Sequence, residues 1–150
     1  MGNKSEEAKQ LFHSGANCAQ AVLGAFHKEC GLDLATAMKL TSGFGAGMGR
    51  LREVCGAVSG MFMAASLIRG SSDPRDKTAK DAHYALIQEL AGEFRKETGS
   101  LICRELLGLE KKQADRPVSE ERTAEYYKKR PCEELVELAA RILEEKLASK

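Results

Sequence analysis

Tryptophan is absent from this 150-residue chain, and aromatic residues make up only 5% of it. A platform for stacking nucleic-acid bases needs more π-surface than that. An excess of positive charge is also missing, because 23 Lys and Arg face 22 Asp and Glu for a formal charge of +1. Binding to a phosphate backbone requires a basic surplus, so no nucleic-acid partner is expected. No run reaches the roughly 18 consecutive apolar residues of a membrane helix, so direct membrane insertion is not expected either. The opening "MGNKSEEAKQ" lacks the apolar segment of a secretory signal, and Glu6 stands where N-myristoylation requires Ser or Thr. These features place the protein in the cytoplasm, where permanent disulfides are uncommon. Its five cysteines contain no CxxC pair, which removes the usual knuckle of a zinc site and the usual motif of a dithiol oxidoreductase.

What remains is a chain of helix formers with no run of strand period. The apolar spacing predicts helices over 4–13, 17–29, 33–42, 51–69, 74–97, 100–107, 119–129 and 131–147. Gly31, Gly43, Gly70, Gly99 and Gly108 stand where helices should stop, and "SSDPRD" offers Asp73 as an N-cap with Pro74 at the first helical position. The stretch "GLEKKQADRPVSEER" reads as a solvated, mobile loop, too short to separate two domains. The expected architecture is all-α: one domain over 1–150, a helical bundle of about seven to eight helices.

Four of the five cysteines fall at or near a predicted helix start. Cys18 follows Asn17, Cys55 follows the glycine run "GFGAGMGR", Cys103 follows Ser100, and Cys132 follows Pro131. Each also begins the apolar stripe of its helix. Ala21, Val22 and Phe26 follow Cys18, and Val58 and Phe62 follow Cys55. Leu106 and Leu107 follow Cys103, and Leu135, Val136 and Ala139 follow Cys132. Four helices thus point a thiol inward from their positive ends. An ordinary thiol is only about 3% thiolate at neutral pH. A helix N-terminus favours the anion by roughly 0.3–1 kcal/mol. Several adjacent thiolates repel, so the set must either exchange electrons in pairs or share a cation. Cys30, at the C-terminal end of its helix against Gly31, reads as a small core or rim hydrophobe.

At these residues the sequence resembles the C_GCAxxG_C_C family of putative redox-active proteins, whose members carry four characteristic cysteines and a CGAxxG motif. Cys55-Gly56-Ala57-Val58-Ser59-Gly60 matches that motif. "NCAQAVLGAF" carries Cys18, "GSLICRELLG" carries Cys103, and "RPCEELVELAARIL" carries Cys132. The resemblance spans nearly the whole chain. It implies a small helical protein with redox chemistry, and an association with a transporter system. Cys30 lies outside the pattern.

Three functions follow for Cys18, Cys55, Cys103 and Cys132. The leading one is reversible thiol–disulfide chemistry with a redox partner or small molecule, which would make the protein a thiol–disulfide oxidoreductase. Cys55 is then the expected attacking thiol, because of its glycine approach and the nearby Arg50 and Arg52. The alternative is a metal-binding module in which the same four cysteines hold zinc or an iron–sulfur cluster. The third is a non-catalytic helical scaffold or a transporter-associated protein. The glycine run fits neither GxGxxG nor the P-loop and no strand precedes it, so nucleotide binding is not expected. Its role is to bring the backbone close to the thiol site, and Gly56 and Gly60 are expected to allow close helix packing. His13 is the histidine nearest a cysteine of the set, and Tyr126, Tyr127 and the following basic residues read as a solvated helix end.

Overall fold

The computed structural model describes residues 3–109 and 115–149, and it is all-α. Nine helical segments follow in order among the described residues: α1 Lys4–His13, α2 Cys18–Ala25, α3 Leu34–Leu40, α4 Gly45–Met48, α5 Gly56–Arg69, α6 Lys77–Thr98, α7 Cys103–Leu106, α8 Ala124–Lys129 and α9 Cys132–Ala148. α4 is a single turn and contains left-handed backbone at Ala46 and Gly47, so eight right-handed helices remain. The only ladder-like pairing among the described residues is one antiparallel bridge between Val54 and Ile102. No helix of the described residues is long and apolar enough to cross a membrane.

α2 forms the centre because its sequence is apolar all round: "CAQAVLGA" carries one polar side chain. α1, α3, α5 and α9 pack around it, and α6 closes the far side against α5 and α9. Phe12, Phe26, Phe94, Leu23, Met61 and Leu143 are the largest side chains wholly withdrawn from solvent. α2 starts sharply because Asn17 and Gln20 cap each other. The Gln20 amide donates to Asn17 Oδ1 at 2.8 Å, and the Asn17 amide donates to Gln20 Oε1 at 2.9 Å. Gln20 Nε2 also donates to the Met38 carbonyl at 3.0 Å, which ties α3 to α2.

Several predicted boundaries move. The helix expected over 17–29 stops at Ala25, after which the chain turns through Gly31 at φ 73°. The helix expected from Pro74 begins instead at Lys77. Asp73 is used locally, accepting from the Arg75 amide at 3.0 Å, and Asp76 is the cap, accepting from Ala79 at 3.0 Å. Residues 51–55 are not helical, and neither are 100–102. Arg52 has φ 60°, and beyond it the backbone pairs through Cys55 N–H to the Leu101 carbonyl (2.8 Å) and Cys103 N–H to the Glu53 carbonyl (2.6 Å). The helix expected over 119–129 begins at Ala124, capped by Thr123. Of the stretch expected as a solvated loop, residues 110–114 lie outside the described residues.

Lys4 is 5% exposed, and its Nζ donates to the Ala25 carbonyl at the end of α2 (3.1 Å), to Glu29 (3.0 Å) and to Glu7 (3.3 Å). Burial alone would lower the lysine and raise Glu29, but the hydrogen bonds and charges of the pair prevail: Lys4 is raised and Glu29 lowered. The carboxylate therefore stabilises the fold above the ordinary glutamate range, and that stability is lost as pH falls through the depressed value. Glu29→Gln is expected to lower the unfolding free energy at neutral pH. The difference from the parent should close at a pH below the ordinary glutamate value, measured by urea unfolding at both pH values.

Candidate functional site

The pairing of 53–55 with 101–103 sets the ends of α5 and α7 side by side, each led by a cysteine. Cys18 and Cys132 are the first residues of α2 and α9, which pack against each other. All four sulfurs line one cavity of about 350 Å³. They are nearly enclosed, with Cys55 4%, Cys18 and Cys103 7% and Cys132 9% exposed, and none forms a disulfide. The predicted gathering of Cys18, Cys55, Cys103 and Cys132 is thus present. Cys30 is apart from it, half-buried against the core with its sulfur directed to the Ala64 carbonyl at 3.8 Å.

The approach that the sequence predicted for the glycine run is also present, by an unusual backbone. Ala46, Gly47, Met48, Gly49 and Arg50 all have φ between 55° and 71°, a continuous left-handed stretch closed by the Gly49 amide on the Gly45 carbonyl at 3.0 Å. Such a conformation costs roughly 1–2 kcal/mol for each non-glycine residue. Gly47 has no alternative: a Cβ there would lie 2.6 Å from Cys103 Cβ and 2.7 Å from Arg52 Cα. The two glycines of the CGAxxG motif act in the same way. A Cβ on Gly56 would meet Cys18 Cβ at 3.0 Å, and one on Gly60 would meet the Ala19 carbonyl at 2.7 Å. Missing side chains therefore hold α5, α2 and the left-handed turn close enough for their sulfurs to share one space.

The four thiols are not equivalent. Cys18 and Cys132 begin two packed helices and line the same cavity, and their mutual interaction holds Cys132 below the ordinary thiol value and Cys18 well above it. Burial opposes the lowering of Cys132, and Arg130, Arg122 and Arg52 add to it. Desolvation pushes Cys55 up to about 12, against backbone amides of Val58 and Ala57 that favour its anion. Cys103 is also raised by burial, although Arg52 Nη1 donates to its sulfur at 3.6 Å. Burial pushes Cys30 up to about 11. Cys55, the attacking thiol expected from sequence, is thus raised by its burial, while Cys132 is lowered.

Arg52 was expected near the thiols, whereas Arg122, Arg130 and Asp115 are partners the sequence reading passed over. Arg122, in the stretch expected to be solvated, donates to the Phe12 carbonyl at 3.1 Å and the Ala16 carbonyl at 3.0 Å, with its guanidinium 4.5 Å from the Phe12 ring centre. Asp115 holds Arg50 and Arg52, accepting from Arg52 Nε at 2.8 Å. Tyr126 and Arg130 line the cavity and are not a solvated helix end. The one available signal was the number of arginines around the cysteines in sequence. His13, by contrast, pairs with Glu133 at 3.1 Å and stacks on Tyr127, outside the cavity lining. Among the described residues, no three Cys, His, Asp or Glu side chains are grouped so as to hold a metal ion.

No curated protein and no solved structure matches the chain significantly. The family model described as "Putative redox-active protein (C_GCAxxG_C_C)" matches residues 16–146, a span that contains all four cavity cysteines and the CGAxxG glycines. With most of its length matched, the chain belongs to the C_GCAxxG_C_C family of putative redox-active proteins.

Proposed function

We propose that the protein carries out reversible two-electron thiol–disulfide exchange, with Cys132 as the attacking thiolate and Cys18 as the resolving thiol. One observation carries this reading: Cys18 and Cys132 stand at the starts of two packed helices and line one buried cavity, where their mutual interaction favours the anion of Cys132 over that of Cys18. That division suits the two roles. Exchange begins with a thiolate, and it ends when a second thiol, kept protonated until needed, attacks the mixed disulfide. Arg52, Arg122 and Arg130 stabilise the anion of Cys132. Cys55 and Cys103 complete the wall of the cavity as neutral thiols.

The test is the intact mass of the full chain, with and without reductant, together with its metal content after anaerobic purification. Mild oxidation is expected to remove two hydrogens, reversibly. Stoichiometric zinc or iron with no such mass change would transfer the four cysteines to the metal-binding reading. Thiols that stay reduced and metal-free under mild oxidation would leave a helical scaffold.

A further inference from the structure

The cavity has a strong bias of charge. Among the described residues, Arg50, Arg52, Arg122 and Arg130 line it against one carboxylate, that of Glu120. Arg130 is paired with Glu120 at 2.8 Å, and Arg50 and Arg52 share Asp115. Arg122 differs: among the described residues its hydrogen bonds go to two backbone carbonyls and the Tyr127 hydroxyl, groups that fix the guanidinium without cancelling its charge. Tyr126 and Phe12 flank it, so the cation is held on aromatic faces and poorly screened. A fixed cation beside a reactive sulfur is a recognition element for a negatively charged molecule.

Size narrows the class further. A space of about 350 Å³ lies at the small end of ligand pockets. The sulfurs at its wall are all less than one-tenth exposed, so a disulfide on the surface of a folded protein cannot reach them while the fold stays closed.

We infer that the oxidised substrate of this cavity is a low-molecular-weight disulfide bearing anionic groups, selected by Arg122 against neutral, cationic and protein disulfides. The inference rests on the thiol–disulfide reading above. In the reaction, the Cys132 thiolate attacks one sulfur of RSSR, forming a Cys132–SR bond and expelling RS⁻. The Cys18 thiol then attacks Cys132 Sγ. The Cys18–Cys132 bond forms, the second RS group leaves, and the Cys18 proton ends on one of the two products. Protein dithiol in its monoanionic form plus RSSR thus gives protein disulfide, RS⁻ and RSH, with two electrons passing to the substrate.

The experiment follows closure of the Cys18–Cys132 bond in the reduced full chain by mass spectrometry. The reagents are dithiodipropionate (anionic), bis(2-hydroxyethyl) disulfide (neutral), cystamine (cationic), insulin as a protein disulfide, and diamide as a neutral oxidant that is not a disulfide. Each disulfide's rate is divided by its rate with free mercaptoethanol, which removes differences in leaving group. Dithiodipropionate is expected to lead the neutral reagent by about tenfold, the gain of one charge-assisted contact. Arg122→Gln should erase most of that ratio and Arg122→Lys should keep part of it; because Arg122 also supports the Cys132 thiolate, Arg122→Gln slows closure by every reagent, diamide included, and selection is read from the ratio of anionic to neutral reagent. Arg130→Gln supplies a second reading of the ratio should Arg122→Gln fold poorly, and a fall there supports the same selection. Equal ratios for the anionic and neutral reagents, or an insulin ratio matching that of dithiodipropionate, overturn this inference while diamide closure leaves the redox reading standing. If diamide also fails to close the pair, the redox reading itself falls and this inference with it.

Discussion

Replacing Cys132 with serine is expected to remove the fast phase of thiol alkylation at neutral pH. The parent protein should show one rapidly modified cysteine and four slow ones. Alkylating reagents consume the thiolate, and an ordinary thiol holds only about 3% of it at pH 7. Cys18, Cys30, Cys55 and Cys103 are all raised above the ordinary value, so each holds less than that. Cys132 alone is lowered, through its contact with Cys18 and the arginines opposite. A lowered value enlarges the thiolate fraction at neutral pH, partly offset by weaker nucleophilicity. The Cys132→Ser variant should therefore lose its fastest phase with iodoacetamide and keep only slow ones. In the parent, that rate should climb with pH through a midpoint below the ordinary thiol range. Peptide mapping of the quenched parent identifies the fast residue. Fast modification at Cys55, or a fast phase that survives in Cys132→Ser, would contradict the assignment.

The largest loss of stability is expected from filling the contact of α5 with α2. Gly60→Val places carbon where the Ala19 carbonyl lies 2.7 Å away and Val22 Cβ 3.0 Å away. The first neighbour is backbone in the middle of the structure, so it cannot rotate aside, and the two helices must part. Overpacking of this kind costs about 1–3 kcal/mol, with the upper end expected here because the obstacle is rigid. For a chain of this size, about 3 kcal/mol corresponds to a fall in Tm of about 10 °C. Gly92→Ala provides the opposite case. Gly92 is an exposed residue inside α6 with no atom within 4 Å of an added Cβ, so the change should stabilise by about 0.5–1 kcal/mol through helix propensity alone. Thermal unfolding of the two variants beside the parent tests both signs. A neutral Gly60→Val would show that α2 and α5 are not held at this separation.

The comparison of sequence with structure follows from which signals are local. Asn17 before Cys18 and Pro131 before Cys132 are local signals for a helix start, and the apolar stripe behind each cysteine fixes which way it faces. Those features placed all four sulfurs on inward faces near helix ends. Small residues at Gly56 and Gly60 carried the close packing of α5 for the same reason: a missing Cβ is visible in the sequence. The left-handed turn was legible only at its glycines. Ala46, Met48 and Arg50 adopt positive φ although nothing in their chemistry favours it. The tertiary contacts of Gly47 with Cys103 and Arg52, and the Glu53 amide on the Gly47 carbonyl at 2.9 Å, hold them there.

The ranking of the thiols was not legible because it depends on charges brought from elsewhere in the chain. Arg50 and Arg52 are the arginines nearest Cys55 in sequence, which made Cys55 the expected nucleophile. In space Arg52 reaches Cys103, and Cys132 is flanked by Arg122 and Arg130 and faced by Cys18 from the other end of the chain. Polar composition made the stretch ending at Arg122 look like a solvated loop, yet Asp115 and Arg122 are held by arginines and carbonyls around the cavity. Proximity along the chain predicts local conformation well and electrostatic environment poorly.

The identity of the oxidised pair tests the central claim most directly. Reduced full-length protein is treated with a stoichiometric amount of diamide, remaining thiols are blocked, and the digest is searched for linked peptides. The account predicts one intramolecular link, between the peptides carrying Cys18 and Cys132, with Cys30, Cys55 and Cys103 recovered as blocked thiols. A link between any other two cysteines, or bonds found only between molecules, would contradict it.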